Sequence, residues 1–156
     1  MDRSQIEVYA TGGSKLIHAY QGLNRDDLLA FPVPGTWSLQ QIAIHLMDSD
    51  LIGSDRMKRI AAMDNPLLIG YDETAFSLLP GLNDLDAMEA CELFDKNRKM
   101  TATIFRSLGD VSFQRSGIHN EVGHVTLAQM IDKYIHHLDG HLEFVRQKRA
   151  LLGKAI

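Results

Sequence analysis

The stretch "TLAQMIDKYIHHLDGHLEFV", residues Thr126–Val145, is the strongest fold signal in the chain. Its first four residues have the spacing of a capping box, which predicts that a helix begins here and continues to about Leu152. Apolar side chains then recur at helical spacing and form one stripe, made of Leu127, Met130, Ile131, Tyr134, Leu138, Phe144 and Val145. His137 and His141 complete this stripe at positions where the pattern predicts aliphatic residues.

Three other segments carry helical periodicity, and we predict helices over residues 4–21, 38–63 and 84–108. Strand signals are sparse. Four long amphipathic helices predict an all-α fold, a four-helix bundle with long connections between helices two and three and between helices three and four. We expect the whole chain, residues 1–156, to form one domain, since its length is that of a single ordinary domain.

Short sequence signals predict where these helices begin and end. Ser38 and Gln41, in "SLQQ", form a second capping box. Asn83 is a suitable N-cap for the third helix, and Gly109 is a suitable residue to follow its end. The pair Gly12–Gly13 weakens the first helix, and close approach of a neighbouring helix is one reason for a protein to keep it.

Composition limits the classes of partner. The net charge is −4, with 45% hydrophobic and 23% charged residues, which argues against a nucleic acid or a membrane surface as partner. Cys91 is the single cysteine, so no internal disulfide can form and a reducing compartment is expected. The N-terminus lacks the apolar run of a signal peptide. We therefore expect a cytoplasmic protein that acts on a small-molecule substrate, and an apolar helix face could support a homodimer.

Three histidines have the pattern of a metal site. His137 and His141 are four residues apart, so their rings point the same way and one ion can bridge them. His45 falls on or near the inward face of the second helix and could supply a third ligand. His136 lies about 100° around the helix from His137 and is expected to face water. The alternative is that these are ordinary core histidines with hydrogen-bond partners.

Three quoted segments together resemble the DinB/YfiT-like superfamily: "TWSLQQIAIHLMDSD", "GYDE" and "HNEVGHVTLAQMIDKYIHHLDGHLEFV". The resemblance implies a helical bundle that holds a metal ion through three histidines, here His45, His137 and His141. It also places Tyr71 and Glu73 near the mouth of the pocket. Members of this superfamily include thiol S-transferases and hydrolases, so the resemblance implies an enzyme that activates a low-molecular-weight thiol or water.

The residue types suggest further roles. An all-imidazole set suits Zn²⁺ or Ni²⁺, with Fe²⁺ and Cu²⁺ as alternatives, and leaves one position open. Glu73 could move protons at that position. Asp48 could orient the ring of His45, and Arg98 could hold a substrate carboxylate. The alternatives are that Asp48 is a solvated acid and that Arg98 extends into water.

Two further interpretations stay open. The chain could be a non-catalytic metal-binding protein, or a plain bundle whose histidines are structural. His119 and His124, in the loop before the last helix, could lie at the edge of the site, although loop histidines are usually exposed.

Overall fold

The long helices form a bundle in which the first two long helices each pack against the last two. The computed structural model describes residues 1–155, which contain the helices α1 (Ser4–Tyr20), α2 (Arg25–Leu29), α3 (Leu39–Ala62), α4 (Glu73–Ser77), α5 (Ala87–Ser107) and α6 (Leu127–Leu151). Helix α1 contacts α5 and α6, and α3 contacts the same two helices. The predicted four-helix bundle is confirmed, with α2 and α4 as short additions in the connections.

Both predicted capping boxes are present. The Ser38 hydroxyl accepts a hydrogen bond from the Gln41 backbone N–H, and the Gln41 side chain accepts one from the Ser38 N–H. Thr126 and Gln129 make the same reciprocal pair at the start of α6. These bonds satisfy backbone donors that have no partner within the helix, which fixes where each helix begins.

The start of the third long helix differs from the prediction. Asn83 belongs to a 3₁₀ turn, Leu82–Asp84, and the N-cap of α5 is Asp86, whose carboxylate accepts from the backbone N–H groups of Met88 and Glu89. Gly109 directly follows the C-cap Leu108, as predicted, but its φ of −71° is not the left-handed conformation common at that position. Asp86, and not Asn83, caps α5, because its charged carboxylate accepts hydrogen bonds from two backbone N–H groups of the helix.

The two mid-helix glycines of α1 mark a close helix contact. A Cβ atom on Gly13 would overlap the backbone of Asp95 on α5, and one on Gly12 would lie 2.6 Å from Arg98 Nη1. Both positions therefore require glycine for α1 and α5 to pack this closely, and the stability that glycine costs a helix is offset by the contact.

A small sheet joins the two long connections and was not predicted. Strand β1 (Leu67–Leu68) pairs in parallel with β2 (Ser116–His119), and β2 pairs antiparallel with β3 (Gly123–Thr126). Strands of two to four residues are too short to carry a clear alternating pattern. The sheet brings Leu68 opposite His119, so the connection that leads to Tyr71 lies beside the loop before α6.

The apolar interior follows the helix faces with one exception on α6. Leu138 and Val145 are buried as predicted, but Phe144 is 53% exposed. Ile135 and Leu142 are buried in the bundle instead. Within residues 1–155, no helix combines the length and apolar character needed to cross a membrane.

Candidate metal centre

Three imidazoles from two helices meet at one point. His45 comes from the first half of α3, and His137 and His141 come from successive turns of α6, which packs against α3. One ligand atom of each histidine lies within 4.8 Å of the other two. The Nε2 atoms of His45 and His137 are 3.1 Å apart. The structure therefore brings together all three residues that were predicted as metal ligands.

The spacing and chemistry of this cluster fit a divalent transition metal. Zinc–nitrogen bonds of about 2.0–2.1 Å in a tetrahedral site place ligand nitrogens about 3.3 Å apart. The separation of 3.1 Å between the Nε2 atoms of His45 and His137 is close to that value. The Nδ1 atom of His141 is buried and has no hydrogen-bond partner in the protein. Such an atom is costly in a plain core, and an ion, or water held by it, would supply the missing partner.

All three histidines are neutral at neutral pH. Burial lowers the pKa of His45 to about 4 and that of His141 to about 4. Burial, together with the nearby rings of His141 and His45, lowers the pKa of His137 to about 3. A neutral imidazole is the form that binds a metal, so no proton has to be removed from the cluster before it can coordinate an ion.

Aromatic rings enclose one side of the cluster. Trp37 lies parallel to the ring of His141, with centroids 6.3 Å apart, and its centroid is 4.7 Å from that of His45. Phe144 meets His141 edge-on at 6.0 Å. The sequence reasoning assigned no role to Trp37, although its position just before the Ser38 cap places it at the end of α3 nearest to His45.

Tyr71 and Glu73 lie on the other side, in the connection that follows β1. Glu73 begins α4, and its Oε2 atom is 3.9 Å from His45 Nε2 while 58% of its side chain is exposed. The hydroxyl of Tyr71 is buried and has no hydrogen-bond partner. Burial raises the pKa of Tyr71 to about 12, so the phenol keeps its proton and remains a donor.

Two cavities flank the three histidines. A polar cavity of about 340 Å³ reaches His137, and its wall includes Ser49, Arg56, Tyr71, Glu73, His119 and Tyr134. A more apolar cavity of about 420 Å³ reaches His141, and its wall includes Val33, Trp37, Ile42, Phe144 and Lys148. An ion held by the histidines would therefore be approached from two chemically different sides.

Arg98 does not line either of these cavities, and both expectations for it were wrong. It is only 1% exposed, and its Nε donates to Asp50 Oδ1 at 2.7 Å. Its Nη2 donates to the backbone carbonyl of Tyr134, and the guanidinium lies between the rings of Tyr9 and Phe94. Because Asp50 already neutralises Arg98 inside the bundle, this arginine is not available to a substrate carboxylate.

Asp48 lies near His45 but has no contact that would orient its ring. The side chain is half-buried, and burial raises the pKa of the carboxyl group. Among the described residues, it makes no hydrogen bond to His45. The role that was predicted for Asp48 therefore has no support in the hydrogen bonds of this site.

The other histidines divide between buried and exposed positions. His119 is 4% exposed, lies in the wall of the polar cavity and accepts at Nδ1 from the backbone N–H of Glu121, so it lies at the edge of the site and not in water. His124 is exposed, as expected. His136 is also exposed, and its Nδ1 is 2.9 Å from the carbonyl oxygen of Asp132. The face assignment on α6 is therefore correct at His136.

Sequence reasoning also missed Arg56, a buried residue in the wall of the polar cavity. The signal that could have found it is helical spacing. Arg56 is seven residues after Ser49 and eleven after His45, so all three lie on one face of α3.

Comparison with known proteins gives a consistent result. The DinB superfamily model matches residues 9–145. The Bacillus subtilis protein named "Putative metal-dependent hydrolase YfiT" is 25% identical over 149 residues, which cover 95% of this chain and 84% of that protein. A relative from Oceanobacillus iheyensis with the same kind of name is 27% identical over 123 residues, which cover 79% of this chain and 71% of the relative.

A solved structure has the same fold. The structure of YfiT from Bacillus subtilis superposes with a TM-score of 0.90 at 24% identity, and the match covers 96% of this chain and 86% of that one. YfiT is described there as a probable metal-dependent hydrolase with an unusual four-helix bundle topology. The likeness extends over nearly all of both chains, so it includes the helices that carry the three histidines.

Proposed function

Since this chain belongs to the DinB superfamily, we propose that it is a metal-dependent enzyme in which His45, His137 and His141 hold one divalent ion, Zn²⁺ or Ni²⁺. The observation that carries this proposal is the convergence of three neutral, largely buried imidazoles within 4.8 Å. The names of the relatives, which describe metal-dependent hydrolases, support the same class of activity.

Different side chains of the protein would have different roles at the site. When bound, the ion would act as a Lewis acid and lower the pKa of a bound water or thiol. Glu73 Oε2 lies 3.9 Å from His45 Nε2, so Glu73 would act as the base for a nucleophile at this site, and its exposure would let it pass the proton to solvent. Tyr71 keeps its phenolic proton and can donate a hydrogen bond to a carbonyl oxygen on which negative charge develops.

Two reactions are compatible with this arrangement. Hydrolysis needs one substrate and water, and it is the activity in the relatives' names. Transfer of a low-molecular-weight thiol needs two organic substrates, and the presence of two cavities, one beside His137 and one beside His141, favours this second candidate. Both reactions would use the same three ligands.

The test is a screen of metal-loaded protein against electrophiles with different nucleophiles. Activated esters would be offered with water, and alkylating or arylating electrophiles with glutathione, bacillithiol or mycothiol. We expect turnover in at least one arm, and we expect Glu73→Gln to reduce kcat by about 10²–10⁴-fold while metal content is unchanged. Absence of turnover in every arm by fully metallated protein would favour a non-catalytic metal-binding protein.

Glu92→Gln is the matched control for the charge change, because Glu92 is an exposed acid on α5. It should leave turnover unchanged. An equal loss in the Glu73 and Glu92 variants would contradict the assignment of Glu73 as the proton acceptor.

A further inference from the structure

Arg56 is a buried cation without an acidic partner. It is only 6% exposed, and its Nη2 donates to the backbone carbonyl of Ile69. Its Nε is buried and has no hydrogen-bond partner. Among the described residues, no carboxylate oxygen lies within 4.0 Å of its guanidinium. A buried charge normally requires a partner, so the surroundings of Arg56 lack an anion.

Arg98, the buried arginine of α5, gives a comparison in which the charge has an acidic partner. Its Nη1 also lacks a hydrogen-bond partner, but the guanidinium is paired with Asp50 at 2.7 Å and lies against two aromatic rings. Both arginine side chains are buried. Arg98 has an acidic partner, whereas Arg56 has none among the described residues.

Other free donors surround Arg56 in the polar cavity. The buried hydroxyl of Tyr71 has no acceptor. His119 accepts at Nδ1 from the backbone N–H of Glu121, so its neutral ring carries the proton on Nε2. One charged donor and two neutral donors in the wall of one cavity are suited to a ligand with a single negative charge and several acceptor lone pairs.

The three acidic side chains in the same wall make other contacts. Asp72 accepts from the backbone N–H of Ala75, and Glu73 lies beside His45. The carboxylate of Glu121 lies against Gly70. Lys133, which also reaches the cavity, adds a second positive charge at its exposed edge.

We propose that Arg56 binds a carboxylate group of the substrate, and that this subsite fixes the acid end while the reactive end faces His45, His137 and His141. The orientation of the reactive end rests on the proposed function, whereas carboxylate binding by Arg56 does not. The Cα atoms of His45 and Arg56 are about 16 Å apart along the helix axis. The arginine side chain leans back toward the start of its helix. The ligand is therefore an extended acid with several bonds between its carboxylate and its reacting group.

The first experiment uses two matched probes on the zinc-loaded full chain. The probes are 6-mercaptohexanoate and the neutral 6-mercaptohexan-1-ol, whose thiols are equivalent and whose far ends differ only in charge. Isothermal titration should give an affinity for the acid about tenfold or more above that for the alcohol, since a hydrogen bond to a charged group contributes at least this much. Arg56→Gln should abolish the preference and leave the affinity for the alcohol unchanged.

Two further variants keep the result interpretable. Arg59→Gln removes the same charge from an exposed position on α3, where Arg59 pairs with Asp55, and it should retain the preference. Arg56→Lys keeps the charge but loses the planar fork, so it should retain part of the preference and fold even if the glutamine variant does not. An unchanged preference in a folded Arg56→Gln protein would overturn the proposal and leave Arg56 as a residue that only tethers Ile69.

The second experiment removes the metal, so that failure of the metal site and failure of the carboxylate subsite can be told apart. Adipate or inorganic phosphate is added to the chelator-treated full chain, and the thermal unfolding midpoint is measured. Adipate should raise the midpoint of the wild type and not that of Arg56→Gln. A larger effect of phosphate, or an equal effect of adipate on both proteins, would overturn the assignment to a carboxylate. If adipate acts as expected while neither thiol binds the zinc-loaded protein, the metal-centred function fails and the subsite stands.

Discussion

The bundle buries two polar clusters of opposite character. In the first, Arg98 pairs with Asp50, and Asn97 donates to both the carboxylate and the backbone carbonyl of Asp50. In the second, His45, His137 and His141 face one another as neutral rings, and the Nδ1 of His141 has no partner. The first cluster pairs its buried charges with each other, although Nη1 of Arg98 has no partner, whereas the second cluster is made of three neutral rings with no acid paired to them at short distance.

This difference separates a structural cluster from a binding site. A buried ion pair holds two helices in one register, and removing one partner leaves the other charge uncompensated. A buried group that lacks a partner lowers stability, and proteins retain such groups mainly where a ligand supplies what is missing. The comparison therefore predicts opposite responses of the two clusters to substitution.

The largest effect of a single substitution is expected at the closed cluster. Asp50→Ala leaves Arg98 as an uncompensated buried charge, and we expect it to lower the free energy of unfolding by about 3–5 kcal/mol. Urea denaturation of the metal-free protein would measure this loss. Glu7→Ala, which breaks the exposed pair between Glu7 and Arg106, is the control and should have a much smaller effect, because solvent screens that pair. Similar losses for the two variants would mean that the pair of Asp50 and Arg98 has no special structural role.

The second effect is a dependence of stability on pH at the open cluster. The pKa values of His45, His137 and His141 are about 4, 3 and 4 in the fold, against 6.5 for an ordinary histidine. Between pH 6.5 and about 4 the unfolded chain binds protons that the folded chain does not, so stability falls as the pH falls through this window. Above pH 6.5 the contribution is fully present. Denaturation midpoints of metal-free protein between pH 7 and pH 4.5 would record the fall.

The control for this pH dependence is His137→Asn, which keeps a polar side chain but does not titrate. Its stability should fall less steeply over the same window than that of the wild type. If the two proteins have the same pH profile, the pKa of His137 is not lowered and the cluster is not closed to water in the way described.

The smallest effect is a gain in stability. His141→Leu places an aliphatic residue where the apolar stripe of α6 predicts one, and it removes the unpartnered Nδ1. We expect the metal-free protein to become more stable by about 1 kcal/mol, because replacing an unsatisfied polar group by an apolar one removes its desolvation cost. The same variant should lose metal binding. A loss of stability would instead indicate that His141 has a partner in the core.

Much of the fold could be predicted because its signals are local. Ser38 and Thr126 reveal helix starts through contacts within three residues, and the 3.6-residue period separates inward His137 from outward His136. The three histidines could be grouped because a bundle brings inward faces of different helices together. Tyr71 and Glu73 were placed near this group by the family resemblance, and the structure finds both beside it.

The remaining features depend on long-range contacts. The pairing of Leu67–Leu68 with residues about fifty positions later gives no periodic signal in either segment. Arg98 interrupts an apolar stripe, but only the position of Asp50 on another helix decides that it is buried and paired. In the sequence Arg56 resembles an exposed helix arginine, and only the position of the loop that carries Ile69 makes it buried. In each case the deciding neighbour lies on a different element.

The most direct test of the central claim is metal content in two neighbouring histidine variants. Protein purified without a nickel column, saturated with Zn²⁺ and then desalted, should retain about one equivalent of metal by elemental analysis. His136→Ala should retain the same amount, because His136 faces water, whereas His137→Ala should retain less than about a tenth of an equivalent. Equal metal content in the two variants, or less than about a tenth of an equivalent in the wild type, would contradict a three-histidine metal centre.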